Sequence, residues 1–188
     1  MIIKAKISQG KDFAELIRMT MPELFIERLG LDFDDLIIFL FESEKNLFSF
    51  EHTYFIMKGE KIAGFILSYT YSNKKLEDLR TGLLMVKRLG FFKFVKLLPF
   101  FLKLLNSTGK LEMNEYYISN VAVKRDFQGQ GFGTKLLKFA QRLAGSNKLV
   151  LDVESKNENA IRLYTKIGYK VIKESKAETI NFLRMKKA

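Results

Sequence analysis

The sequence predicts one α/β domain, on three observations. Strand-like and helix-like runs mix from end to end with no linker, low-complexity tract or repeat between them. At 188 residues, 47% of them apolar, the chain has the length and composition to bury one sizeable core. Near its middle an aromatic and β-branched run enters a glycine cluster and then an amphipathic helix, which makes a strand, a turn and a helix in direct succession.

Taken in order, Ile2 to Ile7 alternates as a strand. Asp12 to Leu29 places Phe13, Leu16, Ile17, Leu24 and Leu29 at roughly helical spacing, with Pro22 as the break. Asp32 to Asn46 reads as a further helix, because Asp32 and Asp34 suit the exposed N–H groups and the dipole at its start. Thr53 to Met57 and Ile62 to Tyr71 are strands joined by Lys58-Gly59-Glu60-Lys61, a polar connection that fits a hairpin. Lys75 to Asn106 is helical, punctuated by Gly90 and Pro99. After the strand Tyr116 to Val123 and the glycines, Leu136, Leu137, Ala140, Leu143 and Ala144 form the apolar stripe of a helix whose Lys135, Lys138, Gln141 and Arg142 look outward. Leu149 to Val153 is a strand and Asn157 to Lys166 a helix ended by Gly168. Tyr169 to Ile172 and Thr179 to Met185 supply the last strands.

Composition removes several function classes. Without cysteine there are no disulfides, thiolate metal sites or cysteine nucleophiles. The one histidine, His52, has no nucleophile elbow near it and reads as structural or solvent-facing. The first residues enter a strand without the regions of a signal peptide, which predicts a cytoplasmic protein. The most apolar stretch, Leu83 to Leu105, is cut by five cations and falls short of the roughly 18 uninterrupted apolar residues of a spanning helix. The net charge of +11 invites a nucleic-acid reading, yet its excess is concentrated. Seven basic residues and no acidic one lie between Leu79 and Leu111, and no zinc-finger, RNP-like or basic-region pattern accompanies them.

A glycine-rich turn between a strand and a helix start is an anion site, because glycine lets backbone approach the ligand and the first helical N–H groups point at it. The spacing Gly129, Gly131, Gly133 fits neither a Walker loop nor a dinucleotide fingerprint, which would need its third glycine at Thr134. Taken alone, the cluster is better read as a tight turn using glycine for positive φ.

Its surroundings resemble the GNAT superfamily of acyl-CoA-dependent N-acetyltransferases. The family's Q/R-x-x-G-x-G/A motif after a strand has its counterpart in Gln128-Gly129-Gln130-Gly131-Phe132-Gly133, following Val121-Ala122-Val123. Its next motif, N-x-x-A-x-x-L-Y-x-x-x-G-F/Y, matches Asn157, Ala160, Leu163, Tyr164, Gly168 and Tyr169. The resemblance covers Tyr116 to Tyr169. It implies a single GNAT domain over 1–188, a central mixed sheet flanked by helices, with 75–110 as a basic, apolar helical insert between the third and fourth strands. It also implies direct acetyl transfer from acetyl-CoA to a primary amine without a metal. A GNAT-like module that holds CoA and has lost catalysis is the competing class.

The same resemblance assigns roles. Backbone N–H groups from Gln128 to Thr134 would hold the CoA pyrophosphate, Val121 to Val123 would pair with the pantetheine arm, and an N–H near Val121 would polarise the thioester carbonyl. Asn157 would contact CoA and also suits a helix N-cap. Tyr164 would assist the departing thiolate, against a plain core role beside Leu163. In a regular strand Glu115, Tyr117, Ser119 and Val121 share one face, and some relatives place a glutamate near this point as base. Glu115 is therefore the candidate base. A bulge would reverse its facing, and an exposed structural glutamate is the alternative. In the insert, Lys93, Lys96 and Lys103 form a narrow polar arc, leaving a broad apolar surface to be covered by the acceptor cleft, a second subunit or an anionic membrane, and Pro99 should kink or divide the helix.

Overall fold

A computed structural model describes residues 1–107 and 110–187. Residues 108, 109 and 188, which belong to the predicted insert and domain end, lie outside the described residues. Seven strands form one sheet: β1 Ile2–Lys4, β2 Thr53–Lys58, β3 Lys61–Thr70, β4 Glu115–Val123, β5 Lys148–Glu154, β6 Tyr169–Ala177 and β7 Ile180–Lys187. Their order is β1-β2-β3-β4-β5-β7-β6, and β4 with β5 is the parallel pair in an otherwise antiparallel sheet. The sheet is mixed, as the resemblance implied.

Because side chains alternate along a strand, the sheet builds a core on each face. Phe55, Phe65 and Leu67 point to α1 Gly10–Arg18, α2 Glu23–Leu29 and α3 Asp32–Glu42, where Phe13 stacks on Phe41 at 4.6 Å. Ile56 and Ile66 point the other way, to α6 Phe132–Ala144 and α7 Glu158–Lys166. The predicted apolar stripe of α6 is buried except Leu143, which is exposed.

Two boundary differences from the sequence reading stand out. Ile7 leaves β1 and starts a short 3-10 turn, Ile7–Gln9. α3 ends at Glu42 rather than Asn46, because the Asn46 amide donates to Leu40 O at 2.8 Å and Ser43 O at 2.6 Å. A side chain thus takes up carbonyls that the helix end leaves open.

Between β3 and β4 the chain forms α4 Tyr71–Leu89 and α5 Phe91–Ser107, separated at Gly90 with φ 80°. Pro99 does not divide α5. Proline removes the bond to the carbonyl four residues earlier, that of Val95, and both residues lie on the exposed side of the helix. The inner side of α5 packs Leu97, Phe100 and Phe101 against Phe25. His52 finds its partner here: Nε2 lies 2.7 Å from Glu77 Oε2 on α4.

Candidate active site

The site is made where the sheet opens. β4 pairs with β5 from Glu115 opposite Lys148 to Ile118 opposite Leu151, and there the pairing stops. β3 holds the other edge of β4 as far as Val123, while β5 continues beside β7 to Glu154. From Ser119 to Val123 the β5-side edge of β4 therefore has no strand partner. A cleft of about 820 Å³ occupies the gap.

A bulge sets which side chains face it. Leu67 is opposite Asn120 and Ser68 opposite Ile118, so Ser119 is an extra residue in β4. Tyr116 and Ile118 pack on the α6 side, and after the bulge Val121 and Val123 pack there too, with Ala122 on the opposite face. The expected common face of Glu115, Tyr117, Ser119 and Val121 does not exist. Val121 lies across the sheet from Glu115 and Tyr117.

The glycine loop closes the upper wall. Gly129 has φ 74° and Gly131 φ 78°, and a Cβ at either would meet nothing within 4 Å, so it is backbone conformation that calls for glycine. Gly131 is the N-cap of α6, and no side chain caps that end. Gln128, Gly129, Gly131, Phe132, Gly133 and Thr134 line the cleft. Gln130 does not: its amide accepts from Lys58 Nζ at 2.6 Å and donates to Asp126 O at 3.1 Å. The Gln128 amide donates to Val123 O at 3.0 Å, tying the loop to the end of β4. An uncapped N-terminus with several N–H groups open to a cleft is suited to an anion.

Val121, Ala122, Val123, Asn157 and Tyr164 also line the cleft. Asn157 Oδ1 accepts from Ala160 N at 3.1 Å, so one residue both caps α7 and faces the cleft. Tyr164 is buried, its ring 5.8 Å from that of Tyr169, and burial pushes its pKa up to about 12. The phenol keeps its proton through neutral and mildly alkaline pH.

Glu115 is placed elsewhere. It does not line the cleft, and its carboxylate accepts from Lys186 Nζ at 2.7 Å, Glu112 N at 3.0 Å and Arg184 Nη2 at 3.2 Å. Burial opposes its ionisation, but the Lys186 and Glu112 hydrogen bonds and the Arg184 charge outweigh burial and hold the carboxyl below its ordinary value. Arg184 Nη1 also donates to Asp152 Oδ2 at 3.1 Å, to which the Tyr117 hydroxyl donates at 3.0 Å. This is a buried ion cluster joining β4, β5 and β7. A carboxyl so held is a poor proton acceptor.

Two carboxylates that the sequence reading passed over do line the cleft: Glu23 in the first turn of α2 and Glu154 at the end of β5. The Glu154 pKa is raised, first by burial and further by Glu23, against a lowering by Lys156. Alternation along β5 puts Glu154 on the face opposite Leu151 and Val153, which by itself does not mark it as a cleft residue.

A family model for the acetyltransferase (GNAT) family matches residues 13–169. The chain belongs to the GNAT family. This GNAT chain is 33% identical over 72 residues to a GCN5-related N-acetyltransferase of Arabidopsis thaliana, a stretch covering 36% of the chain and 25% of that relative. The matches span between 16% and 42% of the length of the relatives found in sequence. Among solved structures, an N-acetyltransferase from Staphylococcus aureus Mu50 superposes with a TM-score of 0.78 at 23% identity, covering 99% of both chains. A PaiA N-acetyltransferase from Thermoplasma acidophilum, solved in complex with coenzyme A, superposes at 0.60 with 15% identity, covering 100% of this chain and 97% of that one. At these identities the likeness is one of fold.

Proposed function

We propose that this GNAT chain transfers an acetyl group directly from acetyl-CoA to a primary amine. The observation that carries the reading is the uncapped start of α6 beside the unpaired edge of β4, with Tyr164 in the same cleft. The N–H groups between Gln128 and Thr134 bind the pyrophosphate. The edge from Val121 to Val123 takes the amides of the pantetheine arm, and an N–H near Val121 receives the charge that develops on the thioester oxygen.

Glu154, rather than Glu115, serves as the proton acceptor, because it faces the cleft and its raised pKa makes it the better base. An alkylammonium group has a pKa of about 10 and no lone pair, so Glu154, with Glu23 nearby, holds the ammonium and takes one proton before the neutral nitrogen attacks; the second proton leaves the nitrogen as the amide forms and goes to the departing sulfur. The amide C–N bond forms, the C–S bond breaks, and the thiolate receives a hydrogen bond from Tyr164. Two carboxylates at this end favour a positively charged acceptor. The coenzyme A in the Thermoplasma acidophilum structure supports the choice of donor.

The test is thiol release from acetyl-CoA across a panel of protein α-amines, lysine peptides and small amines. Glu154→Gln should lower kcat/KM on the order of 10²-fold and remove the acidic limb of its pH profile, with acetyl-CoA affinity unchanged by calorimetry. Turnover of no amine by a chain that binds acetyl-CoA would mark a silent CoA-binding module. An unchanged kcat/KM would remove Glu154 from the mechanism.

A further inference from the structure

Part of the insert has its sides exchanged: α5 and the end of α4 pack apolar side chains inward, but the stretch of α4 from Leu76 to Leu83 does not. The face of α4 turned toward the molecule carries Glu77, which holds His52, and Thr81, whose hydroxyl accepts from Leu47 N at 3.0 Å. Its outward face carries Leu76, Leu79 and Leu83, with Leu79 75% and Leu83 61% exposed. At 100° per residue these three fall within an arc of about 60°. At the Gly90 corner Phe91 and Phe92 are exposed, Phe92 89% so, and Val95 and Leu102 are exposed farther along α5. Seven of the fifteen exposed large apolar side chains among the described residues lie on these two helices, which have 19 and 17 of the 188 residues. Scattered apolar exposure is ordinary, whereas stripes concentrated on one element mark a contact surface.

Charge decides what makes the contact. Arg80 and Lys87 flank the leucine stripe on one side and Lys75 on the other, and Lys96 flanks the stripe of α5. None of the four pairs with a carboxylate among the described residues: Arg80 donates to Glu44 O, and Lys87 lies over the Phe39 ring. The one outward carboxylate of α4, Asp78, is held by Lys74 at 2.8 Å, and from Leu79 to the end of α5 there is no acidic residue. A second copy would set this face against itself, cation against cation. No described residue of α4 or α5 lines the cleft, and none of the described helices is long and apolar enough to cross a membrane.

We propose that the outward face of α4 and α5 docks on an anionic lipid surface, its leucines and phenylalanines entering the boundary between headgroups and acyl chains while the four cations stay with the lipid phosphates. An apolar stripe edged by unpaired cations is the pattern of an interfacial helix.

Flotation of the full chain with phosphatidylcholine vesicles, with and without phosphatidylglycerol, tests this at low and high salt. Binding is expected to the anionic vesicles alone and to weaken with salt. Combined Leu79→Gln, Leu83→Gln and Phe92→Gln should lower partitioning at least about tenfold. Glu at Lys75, Arg80, Lys87 and Lys96 should lower it by about fivefold or more per cation. All seven positions are at the surface, so thermal melting and acetyl-CoA binding should be unchanged and report that the fold is intact. Three results would each overturn the proposal. One is no flotation at low salt. Another is a glutamine variant that floats as well as the parent, which would show adsorption by charge alone. The third is a dimer in light scattering that the glutamine variant dissociates.

Discussion

Replacing Glu115 by glutamine separates a structural carboxylate from a catalytic one. The change keeps the shape of the side chain and removes its charge, while Arg184 and Lys186 keep theirs. Breaking a buried ion pair by removing one partner costs about 3–5 kcal/mol. Asp152 still neutralises Arg184, Lys186 is partly open to water, and the amide oxygen of glutamine can still accept from the Glu112 N–H, so the lower end applies, about 3 kcal/mol. For a chain of this length each kcal/mol moves Tm by about 2–4 °C, so Glu115→Gln should melt about 6–12 °C lower by scanning calorimetry. Well below that temperature, thiol release should match the parent. The pH dependence has a definite sign. A carboxyl whose folded pKa lies below its unfolded value, about 4.3 for glutamate, adds stability above that value and loses it as pH falls through the folded pKa. The gap between parent and variant should therefore be full at neutral pH and close in acid. An unchanged Tm with a kcat that collapses would refute this reasoning and return the base to Glu115.

Two other substitutions probe the cleft from opposite walls. Tyr164→Phe keeps the ring against Tyr169 and removes only the hydroxyl, so kcat should fall on the order of 10²-fold with acetyl-CoA affinity little changed, measured by single-turnover thiol release and calorimetry. Gly64→Ala would set a Cβ 2.4 Å from Ala122 O on the neighbouring strand, and the strands must part; urea unfolding should show a loss of about 1–3 kcal/mol, with weaker acetyl-CoA binding because Ala122 lines the cleft.

What the sequence made legible was local. The order of elements, the break at Pro22, the glycine loop before α6 and the Asn157 cap all rest on residues within a few positions of one another. What stayed hidden depends on partners far along the chain. Glu115 looks like an ordinary strand glutamate until Arg184 and Lys186, on β7, close around it. His52 has no partner in its own segment because Glu77 reaches it from α4. An extra residue in β4 leaves no mark on composition or alternation, so the face of Val121 was misread while that of Tyr117 was not. Gly64 carried no signal, since its demand comes from a backbone carbonyl on the neighbouring strand. Pro99 leaves α5 in one piece, which its residue type alone did not show.

The extra residue at Ser119 also partitions the strand by what a substitution there would be felt as. Below it, from Tyr116 to Ile118, β4 is a girder fastened on both edges, and damage should register in how tightly the molecule holds together. Above it the same strand is a bench with one free edge, and damage should register in how long a guest remains. A scan of single replacements along nine residues, read once by melting and once by occupancy, would trace two profiles that trade places at one serine.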